Sequence, residues 1–185
     1  MLQRSLVVAV VAAFVLGVSA CGGGKKSTTT TGSSAATAQW ASGVCDAFTQ
    51  WKTSLQTIKS NLTSGGIPSS SDLRQAERDA ENATQTLTRS LEKLGAPVTT
   101  GGAQAKSELD NLETSLASSM SAIEDALPKN PTMSDVMSAL PTLKTQVTKM
   151  ANDLSSAAAN LKQLDPGGEI EKAFQSSPAC SAFVS

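Results

Sequence analysis

Residues 136–164 read VMSALPTLKTQVTKMANDLSSAAANLKQL. The apolar positions are Val136, Leu140, Leu143, Val147, Met150, Leu154, Ala157, Leu161 and Leu164, with spacings that alternate 4 and 3 without a fault over four heptads. Such a stripe lies on one side of an α-helix and needs a partner to cover it. Just upstream, Thr132-Met133-Ser134-Asp135 has the form of a capping box, with Asp in place of Glu or Gln. Downstream, Asp165-Pro166-Gly167-Gly168 stops the helix. Pro141 stands inside it, so a kink or break is expected near Ser138–Leu140.

Three further stripes precede this one. Trp40, Val44, Phe48, Trp51, Leu55, Ile58 and Leu62 form the first, closed by Gly65-Gly66-Ile67-Pro68. The second starts near Ser71 or Asp72 and uses Leu73, Ala76, Ala80, Ala83, Leu87, Leu91 and Leu94. Its first half is alanine and buries little area. The third runs through Ala105, Leu109, Leu112, Leu116, Met120, Ile123 and Leu127, and Pro128-Lys129-Asn130-Pro131 ends it. A short helix over 169–175 and an extended tail through Cys180 follow. Outside residues 1–20 there is no alternating β-branched run. Breaks at short intervals favour folding back over an intermolecular coiled coil. The expected fold is therefore all-α: an antiparallel four-helix bundle occupying residues 39–185.

The polar side of these helices is mostly Ser, Thr, Asn and Gln with mixed charge. From Gln39 onward there are 12 basic and 16 acidic residues, a net charge of −4. That balance provides no electrostatic footprint for nucleic acid. It also differs from the Lys/Arg-rich polar face of helices that lie on membranes. The chain contains no His, which removes the commonest general base and the commonest metal ligand.

The amino terminus carries different information. Met1-Leu2-Gln3-Arg4 is short and basic, and residues 6–16 are apolar. Small residues follow, as in a secretory signal peptide. The apolar segment falls short of the ~20 residues a membrane-spanning helix needs. The ending Val18-Ser19-Ala20-Cys21 resembles the lipobox of bacterial lipoproteins. The resemblance implies a signal peptide over 1–20, cleavage before Cys21 and diacylglycerol on its sulfur, with palmitate among the acyl chains. It also implies a cell-membrane location on the extracytoplasmic face. Residues 21–38, rich in Gly, Ser and Thr, then read as a flexible linker of roughly 20–25 Å r.m.s. span. With Cys21 acylated, Cys45 and Cys180 remain, and an even pair in an exported chain reads as one disulfide that tethers the tail.

Candidate chemistry is sparse. Glu77 and Glu81 stand one turn apart, and Glu108, Asp110 and Glu113, or Glu124 and Asp125, form similar groups. A hard cation needs several such oxygens to converge, whereas a solvated helix face carries the same residues, and that is the reading adopted. No Gly-x-Ser-x-Gly is present, and a Ser-Lys pair is the one nucleophile arrangement left open. Asn61-Leu62-Thr63 and Asn82-Ala83-Thr84 match the glycosylation pattern but fall on predicted helices. Met120 and Met150 occupy stripe positions and read as core, and Met133 and Met137 as contacts at one end of the bundle.

These observations lead to an expected non-catalytic binding or interaction module at the cell envelope. Its partners would be the membrane, through lipid on Cys21, and an envelope protein or polymer. No cofactor, metal site or nucleic-acid partner is expected. The alternative is a carrier of an apolar ligand between helices near Ala76, Ala80 and Ala83. A hydrolase using carboxylates or a Ser-Lys pair ranks behind both.

Overall fold

A computed structural model describes residues 30–183, apart from Gly65 and Gly167. Residues 1–20, read above as a signal peptide, and Cys21 lie outside the described residues. Four long helices follow one another: α1 (Thr30–Thr63), α2 (Ser70–Leu94), α3 (Gly102–Ala126) and α4 (Met133–Gln163). A short α5 (Glu169–Ser176) and a 3-10 helix (Pro178–Phe183) complete the chain. No strand occurs among the described residues. Connections of six or seven residues turn each long helix back on its predecessor.

Local chemistry sets the helix ends. Ser69 caps α2: its hydroxyl accepts from the Asp72 N–H at 3.2 Å, and the Ser69 N–H donates to the Asp72 carboxylate at 2.9 Å. Thr132 and Asp135 repeat the reciprocal pair at the start of α4, at 3.3 and 2.8 Å. Asp serves in place of Glu at both ends. At the other end of α2, Gly95 has φ +60°, a conformation that glycine adopts without strain. Gly102 opens α3 where a Cβ would lie 2.0 Å from the Pro97 carbonyl oxygen, a contact no larger residue can make.

α1 packs along α2 and α3 along α4, and within each hairpin the helices approach more closely than the hairpins approach each other. Larger side chains fill the space between hairpins: Phe48, Trp51, Leu87, Leu116, Met150 and Leu154 belong to one buried core. A smaller core of Leu73, Leu127, Val136 and Ala139 closes the end that holds the α1–α2 and α3–α4 turns. There the Arg74 guanidinium donates to the Pro128 carbonyl and ties the two turns together. Leu154, expected in the core, is buried, whereas Leu143 and Val147 are half-buried and seal its edge.

The tail returns to α1. α5 buries Ile170, Ala173 and Phe174, and the Phe174 ring meets Trp40 edge to face at 6.0 Å. Cys45 and Cys180 form a disulfide with Cα atoms 5.0 Å apart, inside the range the bond requires. The segment around Cys180 is not extended, as expected, but coiled into the 3-10 helix. Its Cys180 N–H donates to the Ser177 carbonyl, and Phe183 packs edge-on against Phe48. Coiling gives the tail internal hydrogen bonds where it has no strand to pair with.

Two other expectations need correction. α1 begins at Thr30, so it takes in residues 30–38 that composition assigned to the linker. Thr37 is buried, and alanines at 35, 36 and 38 are the best helix formers. Of the kink or break expected near Ser138–Leu140, the break does not occur: α4 is one helix through Pro141. The proline removes the bond to the Met137 carbonyl, and both residues are exposed, so water can replace it. Val136 and Ala139 hold the preceding turn in the smaller core.

Candidate functional site

Of the alanines in α2, Ala80 is buried in the core, whereas Ala83 lines, with Ala47 of α1, a solvent-open groove of about 400 Å³ along the seam between the two helices. Trp51 and Leu87 form the rest of its floor, with Ile58 further along. The Trp51 indole N–H is committed beneath that floor to Thr84 Oγ1 at 3.2 Å. Along the walls stand Thr53, Ser54 and Thr57 on α1 and Thr86 and Ser90 on α2. Each of these hydroxyls donates to a carbonyl one turn back in its own helix, at 2.8 to 3.1 Å. Their protons are used, and what each hydroxyl keeps is acceptor capacity. Gln50, Asn61 and Asn82 add amides with both donors and acceptors. The lining contains one charged residue, Asp79, one of whose carboxylate oxygens accepts from Gln75 Nε2 at 2.8 Å.

A second open cleft, of about 510 Å³, lies between α2 and α3. Glu81, Glu92, Glu113 and Glu124 line it, with Arg89 as the cation. Burial pushes the Glu113 carboxyl above its usual range, and the like charges of Glu92 and Asp110 push the same way against the pull of Lys106. The other candidate carboxylates disperse. Glu77 pairs with Arg74 at 3.5 Å, Asp110 with Lys106 at 2.6 Å, and Glu108 accepts from Asn160 at 2.7 Å. Among the described residues no three Cys, Asp or Glu side chains gather closely enough to hold a metal ion.

One Ser-Lys pair does form, between α3 and α4. Lys149 Nζ donates to Ser115 Oγ at 2.5 Å and to Asp153 Oδ2 at 2.6 Å, and Ser115 donates to the same carboxylate at 2.6 Å. Burial of Asp153 works to raise its pKa, but the bonds from Lys149 and Ser115 outweigh it and hold the carboxyl low. Asp153 is accordingly half-buried rather than exposed. A nucleophilic serine directs its proton at the base; here Ser115 directs it at Asp153, and Lys149 acts as donor to both. A lysine base also calls for a desolvated site away from carboxylates, whereas Lys149 is exposed and in contact with one. The three side chains clamp α3 to α4.

Of the residues singled out in the sequence, Cys45 and Cys180 come together, Cys21 lies outside the described residues, and Met120 and Met150 are buried. Met133 and Met137 are not covered: they are 57% and 51% exposed at the end of the bundle, where Ile67 is also exposed. They precede the α4 stripe or fall beside it, on the turn that faces water. The groove residues went unnoticed because Ser, Thr and Asn on a polar helix face read as ordinary solvation. The available signal was small side chains, Ala47 and Ala83, on two helices that line one groove, which only a known pairing of α1 with α2 makes visible. No protein-family model matches the chain, and neither curated proteins nor solved structures give a match.

Proposed function

We propose that the protein is a lipid-anchored extracytoplasmic helical bundle that acts as a non-catalytic binding module at the cell envelope. The observation that carries the binding reading is the α1–α2 groove, a solvent-open concavity of about 400 Å³ lined mostly by polar side chains. The location rests on Val18-Ser19-Ala20-Cys21 and its resemblance to a lipobox. Lipid on Cys21 supplies the attachment, and two or more acyl chains make it stable where one is marginal. The disulfide suits an oxidising compartment. The apolar-carrier alternative fits less well, because the space left by the alanines opens to solvent between polar walls.

Two measurements test this. Metabolic labelling with a palmitate analogue is expected to mark the wild type and not Cys21→Ala, which accumulates as precursor. Label retained on Cys21→Ala overturns the anchoring. Cross-linking in the native membrane is expected to capture an envelope component, and a chain recovered only from the cytoplasm overturns the location.

A further inference from the structure

We infer that the α1–α2 groove binds a neutral, hydroxyl-rich glycan chain lying along the two helices. The inference rests on the binding-module reading above and adds the class of ligand. Five hydroxyls in the walls have spent their protons on helix carbonyls and offer only lone pairs. The second oxygen of Asp79 is a further, stronger acceptor, since Gln75 engages the first. Such walls select a ligand that donates many hydrogen bonds, which sugar hydroxyls and acetamido N–H groups do. The amides of Gln50, Asn61 and Asn82 supply the donors that ring and acetyl oxygens need. No Lys or Arg lines the groove, so a polyphosphate or other polyanion finds no counter-charge there. A single carboxylate is equally little to hold a polycation. The apolar strip of Ala47, Ala83 and Ile58 between the walls suits the C–H face of a sugar ring. From Ala47 to Asn61 the groove follows α1 for about 21 Å at 1.5 Å per residue, room for a chain rather than one monosaccharide.

The test uses the full mature chain, purified in detergent, with four probes: an N-acetylglucosamine hexamer, maltohexaose, polyphosphate and poly-lysine. Binding is read by calorimetry and by tryptophan fluorescence, to which Trp51 in the floor contributes alongside Trp40 away from the groove. Saturable binding of a neutral oligosaccharide is expected, with neither charged polymer binding at the groove. Ala83→Phe, which fills the floor from a half-exposed position, is expected to weaken binding at least about tenfold, equivalent to about 1.4 kcal/mol. Thr86→Val removes one wall acceptor at nearly constant shape and is expected to weaken binding by a smaller factor. Thr148→Val, on α4 away from the groove, leaves it unchanged and shows that the fold tolerates such a change. Absence of saturable binding to either oligosaccharide, a preference for a charged polymer, or binding unaffected by Ala83→Phe and Thr86→Val overturns the inference. Mass analysis of the recovered oligosaccharide separates the two proposals. Intact sugar supports both, whereas cleaved sugar upholds the ligand class and overturns the non-catalytic reading.

Discussion

Replacing Cys45 and Cys180 together by Ala removes a link between positions 135 residues apart. In the chain-entropy description, closing a loop of that length disfavours the unfolded state by about 5 kcal/mol, an upper value that cross-links often fall short of. A domain's whole stability is about 5–15 kcal/mol, so the variant is expected to be marginal. With a urea slope of about 2 kcal/mol/M, the unfolding midpoint falls by roughly 2.5 M. Docking of the tail does not rest on the bond alone, because Ile170, Ala173 and Phe174 stay available to bury against the bundle. Far-UV circular dichroism without denaturant is therefore expected to remain helical. Unfolding the wild type in excess reductant keeps both sulfur atoms and removes only the link, which separates the cross-link from the packing of two fully buried side chains. Both routes are expected to lower the midpoint. A fall of less than about 0.5 M by either route would refute the loop-entropy argument. Two alkylated cysteines in the unreduced folded protein would refute the pairing itself.

Leu154→Ala truncates a buried side chain of the main core and is expected to cost about 2–5 kcal/mol, and an unchanged urea midpoint counts against that packing. Thr132→Ala removes the cap of α4 and is expected to cost about 1 kcal/mol at neutral pH by chemical denaturation. Hydrogen bonds from the Thr132 hydroxyl and N–H hold the Asp135 carboxyl below its usual range. The stability from that cap is present above the unfolded carboxyl range and is lost as pH falls through the lowered folded pKa. The cost of Thr132→Ala should therefore shrink in acid, and a pH-independent cost would contradict the pairing. Glu113 has the opposite sign: its raised pKa means that the ionised form weighs against the folded state above that pKa, with relief as pH falls. Glu113→Gln is expected to raise the melting temperature at pH 7 and to match the wild type below the ordinary glutamate pKa of about 4.3. An equal or lower melting temperature at pH 7 would show that the cleft does not strain the carboxylate.

Helix number, helix faces and the cap at Thr132 were legible because each depends on residues within a turn or two of one another, whereas α2 starts at Ser70 under the cap Ser69, just before the expected Ser71 or Asp72. Cys45 and Cys180 were legible as a pair because the lipobox reading accounts for the third cysteine. Pro141 does not break α4, although a break is one of its local expectations. Whether the lost bond matters depends on which side of α4 meets water, and that follows from how α4 packs on α3. The start of α1 was misjudged for the same kind of reason. Residues 30–36 show no periodicity of their own, and it is the burial of Thr37 that ties the segment to the bundle.

The sequence by itself determined a chain of four amphipathic helices and a polar surface without His, and its lipobox-like Val18-Ser19-Ala20-Cys21 is the basis of the proposed anchoring. These are matters of spacing and composition along one strand. Tertiary structure alone decided that α1 pairs most closely with α2, that Ala47 and Ala83 line one groove, and that Ser115 meets both Lys149 and Asp153. A helix's stripe records that it must be covered but not by which neighbour or at what offset. The groove is a property of two surfaces at a particular distance, so no single stretch of the chain encodes it.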